Sequence, residues 1–405
     1  MADDKLFQYY ERQDVLPTFG NFKSPAQLEA YAAQRRELFA EKLMLPPPLF
    51  RDAEVLEFGP DSGENAMVFA GWGARMTLAE PNRLAHARIQ AYFARFGVAS
   101  HLRELVLSDV EGFLSDRRFD IIDAEGFIYT IQPSETWLRI FHRLLHPDGC
   151  AIISYYERYG GFLELALKAI HAAGKALTGL SPLETAKLLF DAKWNSIPHT
   201  RAFESWLMDV LENPFVRYRT FIEAGELCRA ADMSGFELHA AWPFYRDALD
   251  IYWHKRVYSS DEKLRRTGQH LRRSRLSFLG GRKLYLVGEV AAVDAICASI
   301  ERLVRDVDRL IDDPFGDSLA QVVSRLASLR ETLRTARIFA DGADDIESLT
   351  ATLDSFLRIF SAIDRRDTGG LIALTQSDTA FIDTWGQPAH FLVLRKRPKP
   401  AQGER

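Results

Sequence analysis

Four short stretches carry residues able to do chemistry, and each lies where an apolar run gives way to a turn. The first is VLEFGPDSGEN, residues 55–65. An apolar run holding one acid, Glu57, turns through Gly59 and Gly63 and enters a helix-like stretch. Glycine lets backbone approach a ligand closely, and a helix N-terminus offers free N–H groups. Asp61 stands where the dinucleotide fingerprint G-x-G-x-x-G has its second glycine, the one pressed against a pyrophosphate. A carboxylate there repels a diphosphate and tolerates a ligand that is cationic near the loop. The second stretch is Glu80-Pro81, closing the apolar run 76–79. A carboxylate so placed can accept both ribose hydroxyls, or it can simply cap the next helix.

The third is Ser108-Asp109, after the run 104–107. Asp109 can accept from an adenine amino group while the Val110 N–H donates to the ring and Val110 or Phe113 packs on its face. Asp109 is also expected to cap a short helix over 110–114. The fourth is FDIIDAEGFIYT, residues 119–130, where Asp123, Ala124 and Glu125 end a strand. A carbonyl there can hold an ammonium group. Tyr129 either faces an acceptor or joins Phe127 and Ile128 in the core.

These stretches need a scaffold that brings them to one edge. Strands are expected at 55–58, 76–79, 104–107, 119–124 and 151–155, with helices at 66–70, 84–96 and 134–145 between them. Such alternation predicts right-handed crossovers and a parallel sheet covered on both faces, with ligands outside the carboxyl ends of the strands. A helix at 224–233 and a strand at 236–242 extend it. Two later runs, 283–287 and 391–394, compete to be its closing antiparallel strand. Before the sheet, Ser24-Pro25 opens a helix carrying Leu28, Tyr31, Leu38, Phe39 and Leu43, which Pro46-Pro47-Pro48 ends. Within 291–363 three stripes recur at three- and four-residue spacing: Val293 to Leu310, Leu319 to Leu333 and Ile346 to Phe360. They predict an antiparallel helical bundle.

In this order the four stretches resemble the class I S-adenosylmethionine-dependent methyltransferases. Glu57, Gly59 and Gly63 resemble that family's first motif, E-x-G-x-x-x-G. Glu80 falls on its ribose-binding acid and Asp109 on its adenine-contacting acid. LLHPDG, residues 144–149, resembles the turn before its fifth strand, with Asp148 where glycine is commoner. Asp61 and Ser62 depart from a more glycine-rich loop. The resemblance implies an α/β, doubly wound, mostly parallel Rossmann-like sheet. It implies S-adenosyl-L-methionine as cofactor, held by Glu57, Gly59, Asp61, Gly63, Glu80, Pro81, Ser108, Asp109, Val110, Asp123, Ala124 and Glu125. The reaction it implies is in-line transfer of a methyl group, with positioning as the main catalytic device.

Around that core the expected divisions are an N-terminal helical cap (1–50), the cofactor-binding core (51–160) and a lid insertion (161–222). Completion of the sheet with a second insertion (223–290), the helical bundle (291–365), and a closing strand with a basic tail (366–405) follow. Two insertions rich in aromatics, 193–215 and 242–256, are expected to fold over the ligand edge. His199, Tyr129 and Asp209 are the candidate catalytic residues, with Tyr245 and His254 as further acceptor contacts. His199 leads because imidazole titrates near neutrality. Phe7, Tyr9 and Tyr10 are candidates to close over the donor, and Arg35 and Arg36 to pair its carboxylate. Asn213-Pro214 resembles the acceptor motif of amino methyltransferases acting on bases, but it lies far from the fourth strand.

Composition narrows the partners. The 405 residues are 47% hydrophobic and 26% charged, which is globular, and the formal net charge of -5 provides no field for a nucleic-acid backbone. Three scattered cysteines suit a reducing compartment, with Cys150 read as a buried thiol. No run reaches ~18 apolar residues and no signal peptide is read at the start, so a cytoplasmic protein without a membrane partner is expected. No metal-binding spacing such as H-E-x-x-H or C-x-x-C occurs, and no metal is expected. The reading is therefore an enzyme that methylates an O or N nucleophile of a small or sugar-like acceptor, with the bundle available for homo-oligomer contacts. The rivals are methylation of a protein or surface glycan, a non-catalytic binding or assembly protein on the same fold, and a dehydrogenase.

Overall fold

Short runs of β-branched and large apolar residues, each closed by a polar turn, form the strands of one sheet. In the computed structural model these are β1 (Glu54–Phe58), β2 (Arg75–Ala79), β3 (Leu102–Val106), β4 (Phe119–Ala124), β5 (Leu145–Tyr156), β6 (Phe236–Trp242) and β7 (Ala389–Lys396). The structure describes residues 5–14, 16, 22, 24–197, 202–246, 258–281, 290–335 and 344–398. The strand order is β3-β2-β1-β4-β5-β7-β6. β1 to β5 pair in parallel, and β7 pairs antiparallel with β6. The strand at 391–394 is thus the late one seen in the sheet, and 283–287 lies outside the described residues.

Two elements differ from expectation for local reasons. β5 begins at Leu145, which pairs with Phe119; the register then jumps so that Ile121 faces Cys150. Pro147-Asp148-Gly149 loops out between the two pairings as a bulge, with Asp148 at φ 62°. The helix expected over 110–114 is a turn. There the Asp109 side chain accepts from the Gly112 N–H at 2.8 Å, a local bond that competes with helix formation.

The chain forms two compact units. The first comprises residues 1–155, 224–267 and 390–405 and contains the body of the sheet. One face of its sheet buries Val55, Met76, Leu78, Ile121 and Ile152 against Phe39, Phe50, Phe69, Ile89 and Phe93. The N-terminal helix Pro25–Arg36 starts as expected, with Ser24 Oγ accepting from the Gln27 N–H. The second unit comprises 156–223 and 268–389 and is helical. Its core joins Phe162, Leu165, Ile170 and Phe190 to the stripes of Val290–Leu310, Ser318–Thr335 and Asp344–Asp364. Val293, Ile300, Leu319, Val322, Leu326, Leu353 and Phe360 are all buried, as the periodicity requires. Among the described residues no helix is long and apolar enough to cross a membrane.

Candidate functional site

The first unit brings all four chemical stretches to the carboxyl edge of its sheet. Gly59 follows β1, Glu80 follows β2, Ser108 and Asp109 follow β3, and Glu125 follows β4. The loop after β1 is held by geometry that side chains resist. Gly59 has φ +61°, and a Cβ there would stand 2.9 Å from the Phe127 ring. Gly63 has φ +89° and is the N-cap of the helix Glu64–Gly71. Asp61 adopts the left-handed region without being glycine, at φ 51°.

Glu80 fastens this loop to the next crossover. One of its oxygens accepts from the Asp61 N–H at 2.9 Å and the other from the Asn82 N–H at 2.7 Å. Burial pushes its carboxyl up to about 8, against those two bonds. Each oxygen keeps a further lone pair for a hydroxyl donor. Asp109 is tied to Lys5 at 2.5 Å, and Lys5 also reaches Glu111 at 3.0 Å. Burial works against the Asp109 charge, but Lys5 and the Gly112 N–H outweigh it and hold the carboxyl below its usual range. Val110 and Phe113 beside it are buried.

A carboxylate cluster lies between β1 and β4. Glu57 and Asp123 are register partners on the two strands. They are 2% and 0% exposed, and among the described residues Glu57 Oε2 and both Asp123 oxygens have no hydrogen-bond donor, while Glu125 stands beside Asp123. Burial pushes both carboxyls well above the usual range. Arg35 is buried nearby and binds Glu125 through both of its terminal nitrogens, at 2.9 and 2.5 Å. Burial opposes its charge, yet Glu125, Tyr31 and Asp123 outweigh that and keep it protonated. The sequence reading offered Arg35 to a donor carboxylate; in the structure it is engaged by Glu125, while Arg36 is exposed. Ser62 Oγ meets Glu64 at 2.7 and 2.6 Å, and the Tyr31 hydroxyl donates to Asn65 at 2.5 Å.

The acceptor-side candidates fare differently. Tyr129 sits in the turn after β4 and is 2% exposed. Asp209 belongs to the helical unit, in a helical turn at Leu207–Leu211. Asn213 is also in that unit, buried, with its side chain accepting from the Phe215 N–H. His199 and His254 lie outside the described residues. Cys150 is half-buried, with its thiol pushed up to about 11 by burial. One group went unread: Tyr155 at the end of β5, Tyr245, and His390 at the start of β7 form a buried chain. The two hydroxyls are 2.6 Å apart, and Tyr245 lies 2.5 Å from His390 Nδ1. No spacing joins residues so distant in sequence; only the placement of β7 beside β5 does.

A family profile described as a methyltransferase domain matches residues 31–241, just over half of the chain. The chain belongs to the methyltransferase domain family. That family uses S-adenosylmethionine. The residues of this methyltransferase domain fit such a donor: a close-approach glycine loop, an acid after β2 at 80, and buried carboxylate oxygens without a hydrogen-bond donor among the described residues. Solved structures share parts of the fold at low identity. The CcbJ methyltransferase from Streptomyces caelestis is 19% identical over 39% of this chain and 60% of that one, less than two thirds of its length, with a TM-score of 0.29. The N-methyltransferase NodS from Bradyrhizobium japonicum, in complex with S-adenosyl-L-homocysteine, is 18% identical over 38% and 74%, with a TM-score of 0.28. The [4+2]-cyclase SpnF is 11% identical over 92% and 82%, with a TM-score of 0.38. No curated protein matches the chain.

Proposed function

We propose that this chain methylates an oxygen or nitrogen of a small or sugar-like acceptor, using S-adenosylmethionine. The observation that supports the reading is the pair Glu57 and Asp123, buried on adjacent strands with oxygens that no donor among the described residues satisfies. Buried polar atoms without partners are rare in folded proteins, and carboxylates in that state suit a cationic ligand. When bound, the donor supplies a methyl group on a sulfonium, a good leaving group.

The chain's own residues bind and orient. The loop of Gly59, Asp61 and Gly63 admits the ligand against backbone, and Glu80, with Pro81 behind it, presents acceptor lone pairs to a ribose. Ser108, Asp109 and Val110 form the adenine end, with Lys5 fixing the Asp109 carboxylate. Glu57, Asp123, Ala124 and Glu125 form the ammonium end. Holding two reactants in line removes most of the entropic barrier to a displacement. A base is required only where the acceptor nucleophile is protonated. Tyr129, buried at the same edge, is suited to position the acceptor.

Equilibrium dialysis with labelled S-adenosylmethionine tests the reading. The chain retains the label, Gly59→Ala retains at least tenfold less, and NADH is not retained, since Asp61 faces where a diphosphate would go. Incubation with a panel of hydroxylated and amine-bearing small molecules then yields singly methylated products by mass spectrometry. Retention of NADH without retention of the methyl donor overturns the reading. Donor binding with no product from any acceptor favours a non-catalytic binding protein.

A further inference from the structure

The carboxyl ends of the paired strands β1 and β4 hold more acid than their protein partners balance. The charged or titratable groups facing Glu57 and Asp123 are Glu125 after β4, Glu64 on the helix after the loop, Glu80 after β2, and Arg35 and Tyr31 on the helix Pro25–Arg36. Arg35 is the cation of that set, and both of its terminal nitrogens are on Glu125. Glu64 has Ser62, and Glu80 has two backbone N–H groups. Among the described residues no cation or N–H group is bonded to Glu57 Oε2 or to either Asp123 oxygen, and the Glu125 carboxyl beside Asp123 works against its charge. Two neighbouring ionised carboxylates, almost fully buried and lacking hydrogen bonds, are too costly to persist side by side. Among the described residues no three His, Cys, Asp or Glu side chains stand in a metal-binding arrangement.

We propose that this site takes its donor by exchanging a cation for a proton: one of the buried Glu57 and Asp123 carboxyls carries a proton in the free protein and releases it to solvent as the ammonium end of the donor enters. The O–H bond of the carboxylic acid breaks, the proton goes to the buffer, and the ammonium supplies the missing hydrogen-bond donors. This rests on the carboxyl ends of β1 and β4 being the site of the methyl donor. Burial on adjacent strands without a donor to stabilise the charge pushes both carboxyls well above their usual range and favours the protonated form. Arg35 cannot take the same part, because its charge is fixed and already committed to Glu125.

The test is calorimetric titration of the wild-type chain with S-adenosylhomocysteine, which carries the ammonium without the sulfonium. At pH 7 the titration is repeated in buffers of low and high ionisation enthalpy. The measured enthalpy is expected to change with buffer by an amount matching release of about one proton per ligand. Affinity measured by dialysis is expected to weaken by up to about tenfold per pH unit from pH 7 to pH 5, below the range in which the ligand's ammonium titrates. Glu57→Gln and Asp123→Asn, which keep shape and cannot ionise, are expected to abolish the buffer dependence. Binding by the wild-type chain with buffer-independent enthalpy and flat affinity across that range overturns the proposal and leaves the methyl-donor site standing. Failure to retain either S-adenosylhomocysteine or S-adenosylmethionine in dialysis overturns the donor site itself, and the exchange with it.

Discussion

Glu80 shows how much one residue of the site does at once. Its two oxygens hold the backbone of Asp61 and of Asn82, so the same carboxyl that we propose for a ribose also sets the shape of the glycine loop. Burial pushes it up to about 8, well above the 4.5 of the unfolded chain. An acid raised in the folded state favours folding while it is protonated. Its contribution is therefore full below about pH 4.5, falls as the pH rises, and is gone above about pH 8. In urea unfolding at pH 5.5, 7 and 8.5, the stability difference between the wild-type chain and Glu80→Gln is expected to shrink over this span. Glu80→Gln is less stable at pH 5.5 by about 1–3 kcal/mol, because its amide NH2 must face one of the two N–H donors, but its stability varies less with pH. An equal pH dependence in the two proteins would assign the titration to other groups. The placement of such residues at the strand ends was legible because it is local: an acid or glycine closing an apolar run marks where a strand turns. The Arg35–Glu125 pair and the Tyr155–Tyr245–His390 chain were not, since each joins segments that only the folded sheet brings together.

Elements were legible where the apolar period was unbroken. The three long helices of the second unit bury the stripes that their spacing predicts, and β4 and β6 have the expected bounds. The misread elements are those where a side chain outbids the backbone or a turn interrupts a strand, at Asp109 and at Pro147-Asp148-Gly149. The junction of Pro182–Trp194 with Thr379–Asp383 could not be read at all, because it depends on a lysine inside a core. Lys193 is fully buried and donates to the Phe381 and Thr384 carbonyls at 2.7 and 2.6 Å, closing the end of the second helix. Lys193→Met removes a buried cation but leaves those carbonyls without donors. It is expected to lower stability by about 1–3 kcal/mol in chemical denaturation. The sign of its pH dependence differs from that of Glu80. Burial pushes the ammonium down to about 7 from 10.5, so the folded state favours the neutral amine. Stability from this group is complete above pH 10.5 and is lost as the pH falls towards 7. Wild-type stability thus gains between pH 7 and pH 9 from Lys193, and Lys193→Met forgoes that gain.

At the scale of the whole chain, sequence periodicity reports which face of an element is buried but not which elements share a core. The chain leaves the sheet unit after Tyr155, returns at Ala224, leaves again after Thr267 and returns at His390. Where it leaves and returns in the helical unit, the strands of chain run side by side: the Ile222 N–H donates to the Tyr156 carbonyl, and the Gln387 N–H to the Phe278 carbonyl. Each excursion is thus closed at its base, and each unit has its own core. A ligand stabilises only what must unfold together with its site. With S-adenosylhomocysteine at about 100 times its Kd, the sheet unit gains about 2.7 kcal/mol against opening, or roughly a hundredfold slower exchange of its most protected amides. Hydrogen exchange read by mass spectrometry is expected to show that gain in peptides covering β1, the helix Glu64–Gly71 and β2. Peptides from Ser318–Thr335 and Asp344–Asp364 are expected to exchange as before. An equal gain in both sets would mean that the two cores open as one cooperative body, with the helical unit energetically part of the donor site.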